Sequence, residues 1–96
     1  MRLEWSVFAM NDRDAIFDHI EAENPRAAVM IDECIRAQTE RLLQFPQMGR
    51  SGRIEETREI VVIDTPYIAA YSVSGDVITI RRILHHARQW PDNITH

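Results

Sequence analysis

Polar and apolar residues alternate over Arg2-Leu3-Glu4-Trp5-Ser6-Val7, which predicts a short strand with Leu3, Trp5 and Val7 on one face. Asn11 then reads as a helix N-cap, with Asp12 and Asp14 in the first turn, where the helix dipole favours acids. Ile16 and Ile20 stand four apart, and Asp14, Asp18 and Glu21 mark the wet side, so a helix is predicted over about residues 10–23. Asn24-Pro25 is the clearest break in the chain. Asparagine caps, and proline suits the first helical position because its missing N–H has no partner there anyway. The second helix is predicted from Pro25 to about Phe45. Ala28, Ile31, Ile35, Leu42 and Phe45 follow three–four spacing, and Asp32 and Arg36 are placed to pair at i,i+4 outside.

Beyond Pro46 the pattern changes. Gln47-Met48-Gly49-Arg50-Ser51-Gly52-Arg53 reads as a loop. Three strand-like runs follow, Glu59–Ile63, Tyr67–Val73 and Val77–Leu84, separated by Asp64-Thr65-Pro66 and Ser74-Gly75-Asp76. Short turns between consecutive strands imply an antiparallel meander. The order β-α-α-β-β-β predicts an α+β fold, one domain over residues 1–96, with a helical hairpin packed on an antiparallel curled sheet.

Composition changes this picture little, with one exception. An apolar fraction of 45% suits a folded domain. A chain of 96 residues buries a modest core, so a bound partner would add to its stability. No apolar run is long enough to span a bilayer, and the start of the chain, with an acid at Glu4, is unlike a secretory signal. A cytoplasmic protein without membrane contact is expected. Cys34 stands alone among helical apolar positions and is expected as a small core residue. The exception is charge. The net value of −4 arises entirely in residues 1–48, with nine acids against five arginines, whereas residues 49–96 carry six of each. Every basic residue is arginine, whose planar fork makes bidentate contacts with carboxylate or phosphate.

Candidate chemistry gathers after Met48: Arg50, Arg53, Arg58, Arg81, Arg82, His85, His86 and Arg88, with Tyr67 and Tyr71 on the middle strand. His85 and His86 are adjacent, so on extended backbone they are expected on opposite faces and cannot share a metal. No metal site and no cofactor is expected. No serine has a nucleophile-elbow setting, and Gly49-Arg50-Ser51-Gly52 is too short for a phosphate loop. Metal-free RNA cleavage needs a base, an acid and cations at the phosphorane, and Arg58, His85, His86 and Arg88 are residues of those types. Against that, at least one of Arg81 and Arg82 is expected to pair structurally with an acid such as Glu55, Glu56 or Glu59.

Five stretches in order resemble the RelE/ParE superfamily of type II toxins, nearer its ParE branch. They are Asn24-Pro25-Arg26-Ala27-Ala28, Phe45-Pro46-Gln47-Met48-Gly49-Arg50, Thr57-Arg58-Glu59-Ile60-Val61-Val62, Pro66-Tyr67-Ile68-Ala69-Ala70-Tyr71 and Ile83-Leu84-His85-His86-Ala87-Arg88-Gln89-Trp90-Pro91. The resemblance implies the β-α-α-β-β-β fold. It also implies a cognate antitoxin that wraps the toxin, and operator DNA bound only through that antitoxin. RelE-type ribosome-dependent mRNA endonucleases place an arginine just after an aromatic residue on the middle strand, where this chain has Ile68 after Tyr67. The ending Leu84-His85-His86-Ala87-Arg88 is closer to the ParE branch, whose members poison DNA gyrase. No catalytic residue carries over from that branch. The resemblance therefore implies a non-enzymatic gyrase poison, with the ribosome and mRNA as the alternative target. Arg50, Arg53, Arg58, Arg88 and Trp90 are the expected contacts to target or antitoxin.

Overall fold

The computed structural model describes residues 1–87. Strand β1 (Arg2–Trp5) leads directly into helix α1 (Val7–Glu21), and helix α2 (Pro25–Glu40) continues as a 3₁₀ turn over Arg41–Leu43. Four strands follow: β2 (Arg50–Ser51), β3 (Arg58–Val61), β4 (Tyr67–Ser74) and β5 (Val77–His85). They form one sheet in the order β1-β5-β4-β3-β2. Strands β3, β4 and β5 make the expected antiparallel meander, and β2 adds a two-residue antiparallel edge on β3. β1 runs parallel to β5, so the sheet is mixed, not purely antiparallel.

The first helix starts earlier than its sequence predicts because Ser6, not Asn11, caps it. The Ser6 hydroxyl accepts from Ala9 N–H at 3.0 Å and donates to the Arg81 carbonyl at 2.9 Å. The Ser6 N–H donates to the Ile80 carbonyl at 2.9 Å. One residue thus satisfies a helix end and the edge of β5 together. Val7 consequently leaves the strand face and stands 67% exposed in the first helical turn. Asn24 caps α2 as expected, accepting from Ala27 N–H at 3.1 Å with Pro25 at the first position. The regular helix ends at Glu40, short of Phe45. Asp32 does not pair with Arg36: it takes a bidentate contact from Arg13 across the hairpin, at 2.6 and 3.0 Å, and Arg36 sits between Glu33 and Glu40.

The helices cover one face of the sheet. Ala9, Ile35 and Leu42 meet Ile60, Val62, Ala69, Tyr71, Ile78, Ile80 and Ile83 in the core, and Cys34 packs partly buried against them. The other face carries a smaller apolar cluster, Ile68 and Ala70, with Ile54 and Leu84 against it. A register shift at Ala70/Tyr71 sets Ala70 opposite Arg82 and Tyr71 opposite Ile80. Such a shift bends and twists a strand locally. No helix among the described residues is long and apolar enough to cross a membrane.

Glu56 sits at φ 65° in the turn closed by Thr57 N–H to the Ile54 carbonyl at 3.2 Å. That left-handed geometry is costly for a residue with a Cβ and free for glycine. Glu56→Gly is expected to stabilise the protein by about 0.5 kcal/mol after the entropy glycine adds to the unfolded chain. A thermal melt should rise by roughly 2–4 °C; a fall would show that the Glu56 side chain contributes more than its backbone costs.

Candidate functional site

The arginines of the C-terminal half separate into two groups. The first lies on β2, β3 and the loop between them. Glu59, with 2% of its side chain exposed, is the anchor. It accepts from the Arg53 N–H at 2.7 Å and from Arg53 Nε at 3.2 Å, and Arg50 approaches it at 3.5 Å. A buried carboxylate needs such partners. Arg50 nevertheless keeps 66% of its side chain in solvent. Arg58 donates to the Gly49 carbonyl at 2.7 Å. Arg50, Arg53 and Arg58 are thus brought onto one edge of the sheet by Glu59 and by the backbone of the Gly49 loop.

Tyr71 holds that loop from inside. Its buried hydroxyl accepts from Gly49 N–H at 2.9 Å and donates to the Pro46 carbonyl at 2.9 Å. Burial pushes its pKa above the ordinary 10.0, opposed by the Gly49 hydrogen bond and by Arg58. The folded protein therefore keeps a proton that the unfolded chain releases. Stability from this source is complete below pH ~10 and declines as pH rises through the folded value. Tyr71→Phe is expected to flatten that alkaline decline in urea midpoints; an unchanged slope would place its origin elsewhere.

The second group lies at the end of β5. Arg82 donates to Asp12 through Nε at 2.7 Å and through its terminal nitrogen at 3.0 Å, and Asp12 also accepts from Ile83 N–H at 3.0 Å. Hydrogen bonding to Asp12 raises the Arg82 pKa further, against the lowering effect of burial. Arg82 is therefore a structural arginine, as expected of one of the pair, but its acid comes from α1 and not from Glu55, Glu56 or Glu59. Arg81 lines a groove with Glu55 and Glu56 on the other face.

His85 and His86 do not point to opposite faces. Their rings stack with centroids 5.2 Å apart at 24°, and Tyr67 meets His85 edge-on at 5.7 Å. The reason is that β5 ends at His85, and the His86 N–H turns to the Pro66 carbonyl at 2.9 Å. His85 lines a groove with Asp12, His19, Tyr67 and Arg82. Arg58 is not part of that groove. It pairs with Tyr71, and His85 pairs with Tyr67, four residues away along β4. That is roughly 13 Å of strand, so Arg58 and His85 do not converge on one phosphate. Arg88 and Trp90 lie outside the described residues. Among the described residues no group of three His, Cys, Asp or Glu side chains is arranged to hold a metal.

Sequence reasoning missed Asp12 as a partner of β5 and the hydroxyl of Tyr71, and it offered Glu59 to Arg81 or Arg82 where the structure gives it to Arg50 and Arg53. Only Glu59 left a signal, as a lone acid among the β-branched residues of a predicted strand.

The model of the ParE toxin of type II toxin–antitoxin systems, parDE, matches residues 3–90. The chain belongs to the ParE toxin family. It is 39% identical over 90 residues to Y4kP of Sinorhizobium fredii (strain NBRC 101917 / NGR234), covering 94% of this chain and 93% of that protein. It is 33% identical over 84 residues to toxin RelE2 of Caulobacter vibrioides, covering 88% and 93%. A solved chain of the chromosomal ParDE system from P. aeruginosa superposes with a TM-score of 0.78 at 30% identity, over 86% of this chain and 92% of that one. The helical hairpin on a five-stranded sheet is therefore the ParE fold, and the chain is a type II toxin with an antitoxin for a partner.

In this ParE chain, Ile68 is only 4% exposed and packs with Ala70, Ile54 and Leu84 on the sheet face away from the helices. The position after the middle-strand aromatic is thus apolar core, with no cation offered to a nucleic acid.

Proposed function

We propose that this ParE toxin acts by binding DNA gyrase and arresting it, with no covalent chemistry of its own, and that its antitoxin neutralises it by covering the contact surface. Ile68 carries this reading. On the middle strand, where a ribosome-dependent nuclease would need a cation, the chain buries an isoleucine under Ile54 and Leu84. The separation of Arg58 on β3 from His85 on β5, whose partners on β4 stand four residues apart, supports the same reading. Arg50, Arg53 and Arg58 form the gyrase- or antitoxin-facing edge, and Arg88 and Trp90 are the further contact residues of this reading. Acidic side chains of the antitoxin reach the first three. The apolar grooves beside the helical hairpin take its hydrophobic part. Operator DNA is bound only through the antitoxin.

Purified toxin added to gyrase should block supercoiling and leave cleaved DNA. Supercoiling that proceeds unchanged would sink the proposal. One observation favours a second reading, RelE-type mRNA cleavage on the ribosome: Tyr67 and His85 line a groove with Arg82, and His86 stacks on His85. That reading requires His85→Ala to abolish toxicity and to protect transcripts. Intact transcripts in cells arrested by the unmodified toxin would dismiss it.

A further inference from the structure

We propose that the outer face of α1 seats a protein segment that carries basic side chains among apolar ones. The inference deepens the reading above, because it rests on a partner segment covering the hairpin, and it assigns that segment a charge.

Helix α1 is poorly divided into wet and dry sides. Ala9 is its only fully buried residue, and Val7, Phe8 and Met10 stand 67%, 39% and 53% exposed. Helices with apolar residues around most of their circumference are normally covered. Beside α1 lies a groove of about 690 Å³ with Trp5, Met10 and Phe17 as its apolar lining and Arg13, Asp14, Asp18 and Asp32 as its charges. Its single cation is already engaged. Arg13 binds Asp32 through two hydrogen bonds, and its guanidinium lies 5.1 Å over the Trp5 ring.

Asp14 and Asp18 differ. Both are exposed, they stand one turn apart on the same side of α1, and neither forms an ion pair among the described residues. Carboxylates at i,i+4 repel each other. A lysine or arginine placed between them removes that repulsion, while its apolar neighbours cover Trp5, Met10 and Phe17. The sign of the rim disfavours other occupants. Anionic lipid and nucleic acid would be repelled. A second copy docked two-fold on the same face would set these aspartates against themselves.

The test uses the full chain with Trp90→Phe, which leaves Trp5 as its only tryptophan. The probes are three amphipathic helical peptides with one shared leucine face, flanked by lysine, glutamine or glutamate. The lysine peptide should shift Trp5 fluorescence and bind at least about tenfold more tightly than the glutamate peptide, a gap that narrows with salt. Asp14→Lys combined with Asp18→Lys, folded by circular dichroism, should invert the order. Equal binding of all three peptides, binding of none, or an order that survives the reversal would each overturn the inference. Gyrase assays are independent of these peptides. A gyrase block without lysine-peptide preference defeats this inference alone, and the converse defeats only the gyrase reading.

Discussion

Gly49→Ala is expected to destabilise the toxin by about 2–3 kcal/mol and to weaken its toxicity at physiological temperature. A Cβ on Gly49 would lie 2.5 Å from the Tyr71 hydroxyl, 2.7 Å from its ring and 2.9 Å from the Glu59 carbonyl. Real Cβ atoms do not approach so closely, so something must move. The tyrosine is buried among core residues, and the Glu59 carbonyl belongs to the β3 backbone. Neither yields as a surface side chain would. The loop itself must then lift, and with it go both hydrogen bonds of the Tyr71 hydroxyl and the Arg58 contact to Gly49. Urea denaturation measures the loss. The pairing with Tyr71→Phe separates the causes. If the hydroxyl is the main obstacle, the double variant should cost less than the sum of the single ones. A loss under about 0.5 kcal/mol for Gly49→Ala would mean that the loop has room the geometry does not show.

That loop shows what was legible in the sequence and what was not. Its glycines and arginines stood out by type, but nothing local said that a tyrosine 22 residues on would hold it. The same holds elsewhere. Asn24-Pro25 was readable because capping is settled within four residues. The three long strands were readable because β-branched runs and short turns are local as well. The start of α1 was misread because Ser6 fits an alternating strand pattern as well as it fits a cap; the edge of β5 decides between them. The i,i+4 rule assigned Arg36 to Asp32, yet Arg13 on the facing helix offered a bidentate fork that a neighbour on the same helix did not. A two-residue strand such as β2 is too short to leave a pattern. The parallel pairing of β1 with β5 joins the two ends of the described fold, which no window of sequence can contain.

The histidine pair makes the same point for the site. Alternation put His85 and His86 on opposite faces only if the strand continued through both. It stops at His85, and the rings stack. Ile68 stood out in the sequence as the residue after Tyr67, but its packing against Ile54 joins β4 to the segment between β2 and β3, which no local pattern contains.

Asp12→Ala should be the most damaging single change on the helical side, lowering stability by about 2–3 kcal/mol. Asp12 leaves α1 to serve β5. It accepts two hydrogen bonds from the Arg82 guanidinium and one from the Ile83 N–H, which faces the sheet edge that β1 leaves uncovered beyond Trp5. The pair is shielded, with 22% and 16% of the two side chains exposed, so the loss exceeds that of a surface ion pair. Removing the carboxylate strands a guanidinium and a backbone donor together, 70 residues from the lost partner in sequence. Arg82→Ala removes only the guanidinium and should cost less, because Asp12 keeps its bond to Ile83. The double variant should therefore lose clearly less than the two single losses added, and the shortfall is the coupling between helix and sheet. Additive losses would show that Arg82 and Asp12 act separately. Asp12→Asn tests the role of charge: it keeps the bond to Ile83 N–H and weakens the fork to Arg82. Its melting temperature should fall between those of the parent protein and Asp12→Ala. If it matched Asp12→Ala, the charge on Asp12, and not its place on the β5 edge, would be what ties α1 to the sheet.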